Sequence, residues 1–288
     1  MSTNSGANYT TLASNIANTG SYTFTVPNTP TTQARVRVRE YDFVEPAGIS
    51  ATNFSISTTA PTARAGFDFD GDGKADVSVF RPDSGVWYLL NSQTGFTGIT
   101  FGISTDKIVP ADYDGDGKVD VAVYRAGTWY LQRSSLGFTG IAFGAATDFP
   151  VPADFDGDGK ADLAVYRPSN GTWYIYNLAT NQVSAVQFGI NEDKPVPADY
   201  DGDGKADVAV FRPSTGTWYV QRSQLGFTGI AFGTTGDLPT AADYDGDGKV
   251  DIAVFRQGAW YLQRSTQGFT GVSFGASDDR PVENAFVP

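Results

Sequence analysis

From about residue 64 onward the chain alternates short apolar runs with tight polar breaks, and no apolar stripe recurs at the spacing of an amphipathic helix. The runs are rich in Val, Tyr, Phe, Trp and Thr, which suit a pleated, half-buried surface. Several are apolar at both parities, as in Val121-Ala122-Val123-Tyr124, and this predicts strands covered on both faces. One stretch reads as four strands: Ile108–Tyr113, Val119–Arg125, Thr128–Arg133 and Thr139–Phe143.

The same four-strand pattern returns along the chain. The string D-[FY]-D-G-D-G-K-[AV]-D begins at Asp68, Asp112, Asp154, Asp199 and Asp243, at intervals of 44, 42, 45 and 44 residues. A Trp-Tyr pair recurs at Trp87, Trp129, Trp173, Trp218 and Trp260, and Phe-Gly at Phe101, Phe143, Phe188, Phe232 and Phe274. A further Asp precedes the later loops at Asp106, Asp148, Asp193 and Asp237, with Asp279 as a fifth counterpart. The gap from Arg81 to Trp87 is six residues, but from Arg125 to Trp129 it is four. A hairpin turn tolerates that difference and a helix interior does not. A four-stranded unit of this length, packed between neighbours, predicts an all-β protein with a β-propeller of four-stranded blades. Five blades are expected. A partial sixth repeat, Asp279-Arg280-Pro281-Val282-Glu283-Asn284-Ala285, either clasps the first and last blades or begins an incomplete sixth blade.

Residues 1–60 lack the repeat, and residues 61–288 carry it. Strands are expected in the first part at Ser21–Val26, Ala34–Tyr41 and Asn53–Ser57, with a further candidate at Asn8–Leu12. Arg35-Val36-Arg37-Val38-Arg39 alternates, with Val on one face. Three or four strands resemble part of an immunoglobulin- or fibronectin-like sandwich, which needs about seven. The alternative is a Thr/Ser/Asn-rich lead-in. A linker is expected around Thr59–Thr62, and the first residues do not read as a signal peptide.

Charge sharpens the picture because it is concentrated. The net charge is −12, and only four acidic residues are Glu, so 28 are Asp, of which 20 lie in the five loops. There is no His and no Cys, which excludes a Ser-His-Asp triad, a thiolate nucleophile, a disulfide framework and the usual zinc ligands. The acidic balance disfavours nucleic acid, and no apolar run reaches the ~20 residues of a membrane span.

Each loop places carboxylates at positions 1, 3, 5 and 9 around two glycines, with the position-7 carbonyl as a further oxygen. The candidate metal ligands are therefore Asp68, Asp70, Asp72, Lys74 and Asp76; Asp112, Asp114, Asp116, Lys118 and Asp120; Asp154, Asp156, Asp158, Lys160 and Asp162; Asp199, Asp201, Asp203, Lys205 and Asp207; and Asp243, Asp245, Asp247, Lys249 and Asp251. Such a hard-oxygen cage suits Ca²⁺, about five per chain, better than Mg²⁺ or Zn²⁺. Val79 stands at position 12, where an EF-hand needs Glu, and strands rather than helices are expected on both sides. Asp-Gly runs also make good turns without any ion, but four carboxylates in each of five short loops repel one another unless a cation is present.

These loops, the four-strand period and the Phe-Gly pairs resemble FG-GAP/VCBS-type repeats, known from integrin α-subunit propellers and many bacterial surface proteins. The resemblance covers about residues 64–288 and implies Ca²⁺ in the loop joining the first two strands of each blade, held by its four Asp.

Other recurrent residues read as structural. The Trp-Tyr pairs are expected in the core, with a sugar-stacking platform as the alternative. Gln132-Arg133, Gln221-Arg222 and Gln263-Arg264 read as exposed outer-strand residues or a ligand rim, and Asp106 and its counterparts as turn caps with a secondary role near the metal. The functional expectation is an extracellular, calcium-binding, non-catalytic binding or adhesion module, secreted or at the cell surface, for a glycan or protein ligand. It would belong to a larger secreted bacterial chain. The alternatives are a structural spacer or filament subunit, an accessory domain of a polysaccharide-degrading enzyme, or an enzyme such as a propeller polysaccharide lyase or hydrolase, whose carboxylate pair would have to come from the few acids left, such as Asp83, Asp42 or Glu192.

Overall fold

The computed structural model describes residues 1–14, 17, 31–39, 48–56 and 66–281. Among them are strands and turns and no helix, hence none able to cross a membrane. The chain divides into two units, Met1–Thr62 and Ala63–Pro288.

The second unit holds the five blades of a β-propeller. In the second blade the strands Lys107–Ile108, Val121–Arg125, Thr128–Arg133 and Gly137–Ala142 pair antiparallel in chain order. The third, fourth and fifth blades repeat that order. The first shows three strands among the described residues, Val77–Arg81, Val86–Asn91 and Gly95–Thr100.

The leading strand is shorter than the sequence suggested. It stops at Ile108; beyond it the Val109 N–H still donates to the Ala122 carbonyl at 2.9 Å, and Ala111 bridges Asp120 as the chain bends into the Asp loop. Pro152 and Pro197 stand where Pro110 does in the next two blades, but the fifth has Ala241 there and an equally short strand, Leu238–Pro239, so the shortness does not depend on the proline. The two-residue length change lies in a hairpin turn, as expected. In the short version Ala126 and Gly127 both take positive φ, 47° and 91°, matching the twist of the flanking strands.

The core lies between consecutive blades. Trp129, Leu131 and Tyr124 of the second blade pack on Leu163 and Val165 of the third, and equivalent clusters join the first to the second, the third to the fourth and the fourth to the fifth. Trp87, Trp129, Trp173 and Trp218 are buried, and each indole donates to the carbonyl of the Phe in its own Phe-Gly pair at 2.8–2.9 Å. That placement makes them core, and a sugar platform needs exposed faces. Neighbouring Asp loops are also tied together. Val119 N–H donates to the Asp68 carbonyl, Ala161 to Asp112, Ala206 to Asp154 and Val250 to Asp199, at 2.6–2.8 Å.

In the first unit Thr31–Ala34 pairs with Phe54–Ile56, and Arg37–Val38 with Gly48–Ile49. The expected strand over Ala34–Tyr41 is thus broken at Arg35–Val36; on its Val face Val36 is half-buried and Val38 exposed, and Glu40 and Tyr41 lie outside the described residues. Asn8–Leu12 is not a strand. Ser21–Val26, the Thr59–Thr62 linker and the repeat residues beyond Pro281 lie outside the described residues.

Candidate metal centres

Each Asp loop is shaped by its own first carboxylate. Asp112 accepts the Gly115 N–H at 2.6 Å with one oxygen and the Gly117 N–H at 2.9 Å with the other. Asp68, Asp154, Asp199 and Asp243 bond their own glycines in the same way. Gly115 and Gly117 sit at φ of 81° and 92°, where a side chain would be strained. Asp116, at position 5, accepts the Lys118 N–H at 2.9 Å.

The remaining carboxylates are held by the turn that joins the third and outer strands. Buried Asp120 accepts the Tyr113 N–H at 2.9 Å and, on its other oxygen, the Ser134 N–H at 2.7 Å. The Ser134 hydroxyl donates to Asp116 at 2.6 Å. Asp114 accepts the Ser135 and Leu136 N–H groups, both at 3.0 Å and both on Oδ2. Its Oδ1 is buried and bonded to nothing, as are the Oδ1 atoms of Asp70, Asp201 and Asp245.

Three carboxylates converge in every loop. Asp68, Asp70 and Asp76; Asp112, Asp114 and Asp120; Asp154, Asp156 and Asp162; and Asp243, Asp245 and Asp251 each bring one oxygen within 4.8 Å of the others. In the fourth loop the triplet is Asp199, Asp201 and Asp203. Asp72, Asp116, Asp158, Asp207 and Asp247 stand outside these triplets. The lysine side chains go elsewhere: Lys118, Lys160, Lys205 and Lys249 lie over Gly71, Gly115, Gly157 and Gly202 of the preceding loops, and Lys74 reaches Asp72 at 3.3 Å.

The electrostatics of a loop pull in two directions. Burial pushes the Asp120 and Asp162 carboxyls up to about 6, against their N–H donors, and neighbouring carboxylates add to the rise. Burial also raises Asp154, Asp207 and Asp251. At Asp114 burial acts upward too, but the Ser135 hydroxyl and the Ser135 and Leu136 N–H groups outweigh it and hold the carboxyl below its ordinary value. An all-carboxylate donor set with a buried, unbonded oxygen fits a hard divalent cation.

A family model described as FG-GAP-like repeat matches residues 68–123, 154–210 and 199–254, more than half of the chain. The chain belongs to the FG-GAP-like repeat family. A comparison with curated proteins gives no match. Among solved structures the chain resembles virginiamycin B lyase from Staphylococcus aureus, at 7% identity over 72% of this chain and 69% of that one, with a TM-score of 0.51. It is also similar to a streptogramin B lyase (10% identity, 70% and 66% covered, TM-score 0.49) and to an Agrocybe aegerita lectin described as recognising non-reducing terminal N-acetylglucosamine (16%, 77% and 72%, TM-score 0.47). At such identities the likeness to the Staphylococcus aureus enzyme shows the fold alone.

The five FG-GAP-like repeats are not equivalent. In four of them a serine (Ser92, Ser134, Ser223, Ser265) gives its N–H to the ninth Asp and its hydroxyl to the fifth. In the third repeat Leu178 stands there: its N–H still bonds Asp162, but it has no hydroxyl for Asp158, and Asn177 Nδ2 bonds Asp156. Asp156 Oδ1 accepts the Asp158 N–H at 3.1 Å, so this loop has no unbonded oxygen of the kind found in the other four. These serines were not singled out from sequence, although they follow the ninth Asp by 14 or 16 residues, the difference being the hairpin insertion.

The extra Asp of each FG-GAP-like repeat caps a turn, as expected, and also has a partner that sequence reading missed. Asp148 accepts the Ala145 N–H and is gripped by Arg167 through two bonds of 2.8 Å. Asp106, Asp193 and Asp237 hold Arg125, Arg212 and Arg256 in the same way. Arg133, Arg222 and Arg264 of the Gln-Arg pairs donate to the carbonyls of Gly137, Gly226 and Gly268, so they brace hairpins. Of the residual acids, Asp83 is exposed, Glu192 accepts the Ser214 hydroxyl at 2.7 Å, and Asp42 lies outside the described residues.

Proposed function

We propose that this protein is an extracellular, calcium-stabilised propeller that works as a non-catalytic binding or adhesion module. The observation that carries the calcium part is the buried, unbonded Oδ1 of Asp70, Asp114, Asp201 and Asp245, each in a triplet of converging carboxylates. A buried polar atom without a partner costs roughly 1–3 kcal/mol, and a cation removes that cost. The triplet residues and the hydroxyl-bearing turns beside them would hold the ion, which supplies the positive charge that lets the loop carboxylates approach. The absence of His and Cys from the sequence supports the non-catalytic reading.

The ligand-binding part rests on the blade that departs from the repeat. The third blade has Gln182-Val183-Ser184-Ala185-Val186-Gln187 where the fourth has Gly226-Phe227-Thr228-Gly229-Ile230-Ala231. Beside it, between the third and fourth blades, lies an open cavity of about 360 Å³ with a mixed lining, apolar at Phe155, Ile175 and Val208 and polar at Ser184, Gln221 and Arg222. The ligand of this site is a glycan or a protein surface rich in hydroxyl and amide groups. A glycan and protein array with and without Ca²⁺ is the test. The expected result is calcium-dependent binding lost in Arg222→Ala and Ser184→Tyr with the fold intact. Retained binding in both variants would remove this cavity from the account.

Calcium uptake should also be coupled to protons. A carboxyl raised to about 6 is roughly half protonated at pH 6, and a cation needs it ionised. Titration calorimetry at pH 6 in two buffers of different ionisation enthalpy should show proton release on calcium binding. At pH 8 the two buffers should agree. Equal heats at pH 6 would mean that Asp120 and Asp162 do not face the ion.

A further inference from the structure

The Asp loops are linked to one another through their peptide groups. In the second loop the peptide unit between Lys118 and Val119 does two things. Its carbonyl is the position-7 oxygen of that loop, and its N–H donates to the Asp68 carbonyl of the first loop at 2.6 Å. The Asp68 carbonyl is half of a further peptide unit, whose N–H, that of Phe69, donates to Asp76 Oδ2 at 2.7 Å. Asp76 belongs to the carboxylate triplet of the first loop. One peptide of the second loop is thus joined, through one peptide of the first, to a carboxylate that converges on the first loop's centre.

The relay recurs between the other neighbours. The Ala161 N–H reaches the Asp112 carbonyl at 2.7 Å, and the Tyr113 N–H then reaches Asp120 at 2.9 Å. Ala206 bonds the Asp154 carbonyl at 2.7 Å and Phe155 bonds Asp162 at 3.1 Å; Val250 bonds the Asp199 carbonyl at 2.8 Å and Tyr200 bonds Asp207 at 2.9 Å. A second contact runs alongside. The stems of Lys118, Lys160, Lys205 and Lys249 pass 2.9–3.1 Å from where a Cβ would stand on Gly71, Gly115, Gly157 and Gly202 of the loop before. Among the described residues no such bond joins the fifth loop to the first.

We propose that cation uptake by one loop is coupled to uptake by the loops beside it, so that the loops fill as a cooperative series and not as independent sites. The proposal rests on the calcium reading above. In an empty loop the carboxylates repel one another and the loop loosens. A loosened second loop withdraws the Val119 N–H and the Lys118 stem from the first. The Asp68 carbonyl then loses its donor, and the Phe69–Asp76 bond loses the polarisation that the chain of hydrogen bonds lends it. The first loop's carboxylates are held less firmly, and binding there costs more ordering. Coupling between sites is reciprocal, so a filled first loop favours filling of the second by the same factor. At saturating calcium every intact loop still fills; the coupling shows in the concentration it needs.

Hydrogen exchange of the loop glycine amides across a calcium titration reads each site separately, because each pair of glycines is bonded to the first carboxylate of its own loop. In Asp114→Ala the calcium concentration that half-protects Gly71 and Gly73, and Gly157 and Gly159, should rise roughly threefold to tenfold, the worth of one hydrogen bond. Gly246 and Gly248 of the fifth loop should be unmoved. Asp201→Ala should shift the third and fifth loops by a similar factor and leave Gly71 and Gly73 unmoved, so the test stands if either variant folds. Neighbouring loops that ignore both substitutions would overturn the proposal, and so would equal shifts in near and far loops. Wild-type amides indifferent to calcium would overturn the calcium reading and the proposal with it.

Discussion

Chelating divalent cations should lower the melting temperature of the protein steeply. An ion that binds only the folded state at about ten times its dissociation constant contributes roughly 1.4 kcal/mol. Five carboxylate triplets then contribute on the order of 7 kcal/mol, comparable with the net stability of a whole domain. For a chain of this size each kcal/mol moves the melting temperature by about 2–4 °C, so EDTA should lower it by roughly 15–30 °C. Calcium should restore it fully and magnesium poorly, because the smaller ion demands a stricter octahedron and keeps its water. Calorimetric scans with and without EDTA check this, and an unmoved curve would mean that the loops hold themselves together. Asp114→Ala should remove about one site's share and leave the others.

Arg167→Ala should be the most damaging change outside the loops. Asp148 is fully buried, and both of its oxygens are held by that guanidinium. Removing the arginine leaves an uncompensated buried charge, which costs about 3–5 kcal/mol. Arg167→Lys should recover only part of the loss, since an ammonium cannot reproduce the two-pronged contact. By contrast, Arg133→Ala breaks only a single bond of 3.3 Å to the Gly137 carbonyl and should cost well under half as much. Urea unfolding of the three variants in saturating calcium measures these differences. Equal costs for Arg167→Ala and Arg133→Ala would show that the Asp148 pair is not a structural rivet.

Most of the architecture was legible because the repeat samples the same physics five times. One Asp-Gly loop is a turn like many others, but five at a fixed spacing, each followed by a Trp-Tyr pair, point to one packing unit. The third strand of the second blade, Thr128–Arg133, lies where the alternation placed it. The leading strand does not, because hydrophobic pattern reports burial and not regular ladder pairing, and the run keeps its apolar side chains after the ladder has thinned to single bonds. In the loops, sequence spacing placed the carboxylates but not which three converge. The hairpin that joins the third and outer strands, distant in sequence, positions those carboxylates: its serine binds one oxygen of the ninth Asp through its N–H and the fifth Asp through its hydroxyl, and neither contact can be read from the loop itself. The Arg167–Asp148 pair was hidden for a related reason. Its members lie 19 residues apart, Asp148 in a turn and Arg167 at the end of a strand, and each alone has an ordinary explanation, as a turn cap and a strand end.

The most direct test of the account is the calcium content of the pure protein after equilibration in millimolar calcium and removal of free ion, measured by elemental analysis and by calorimetric titration of the stripped chain. The account predicts close to five ions per chain, four in a stronger class and one, in the third loop with Leu178 and Asn177, in a weaker class. Fewer than three ions per chain, or a titration without heat, would contradict it.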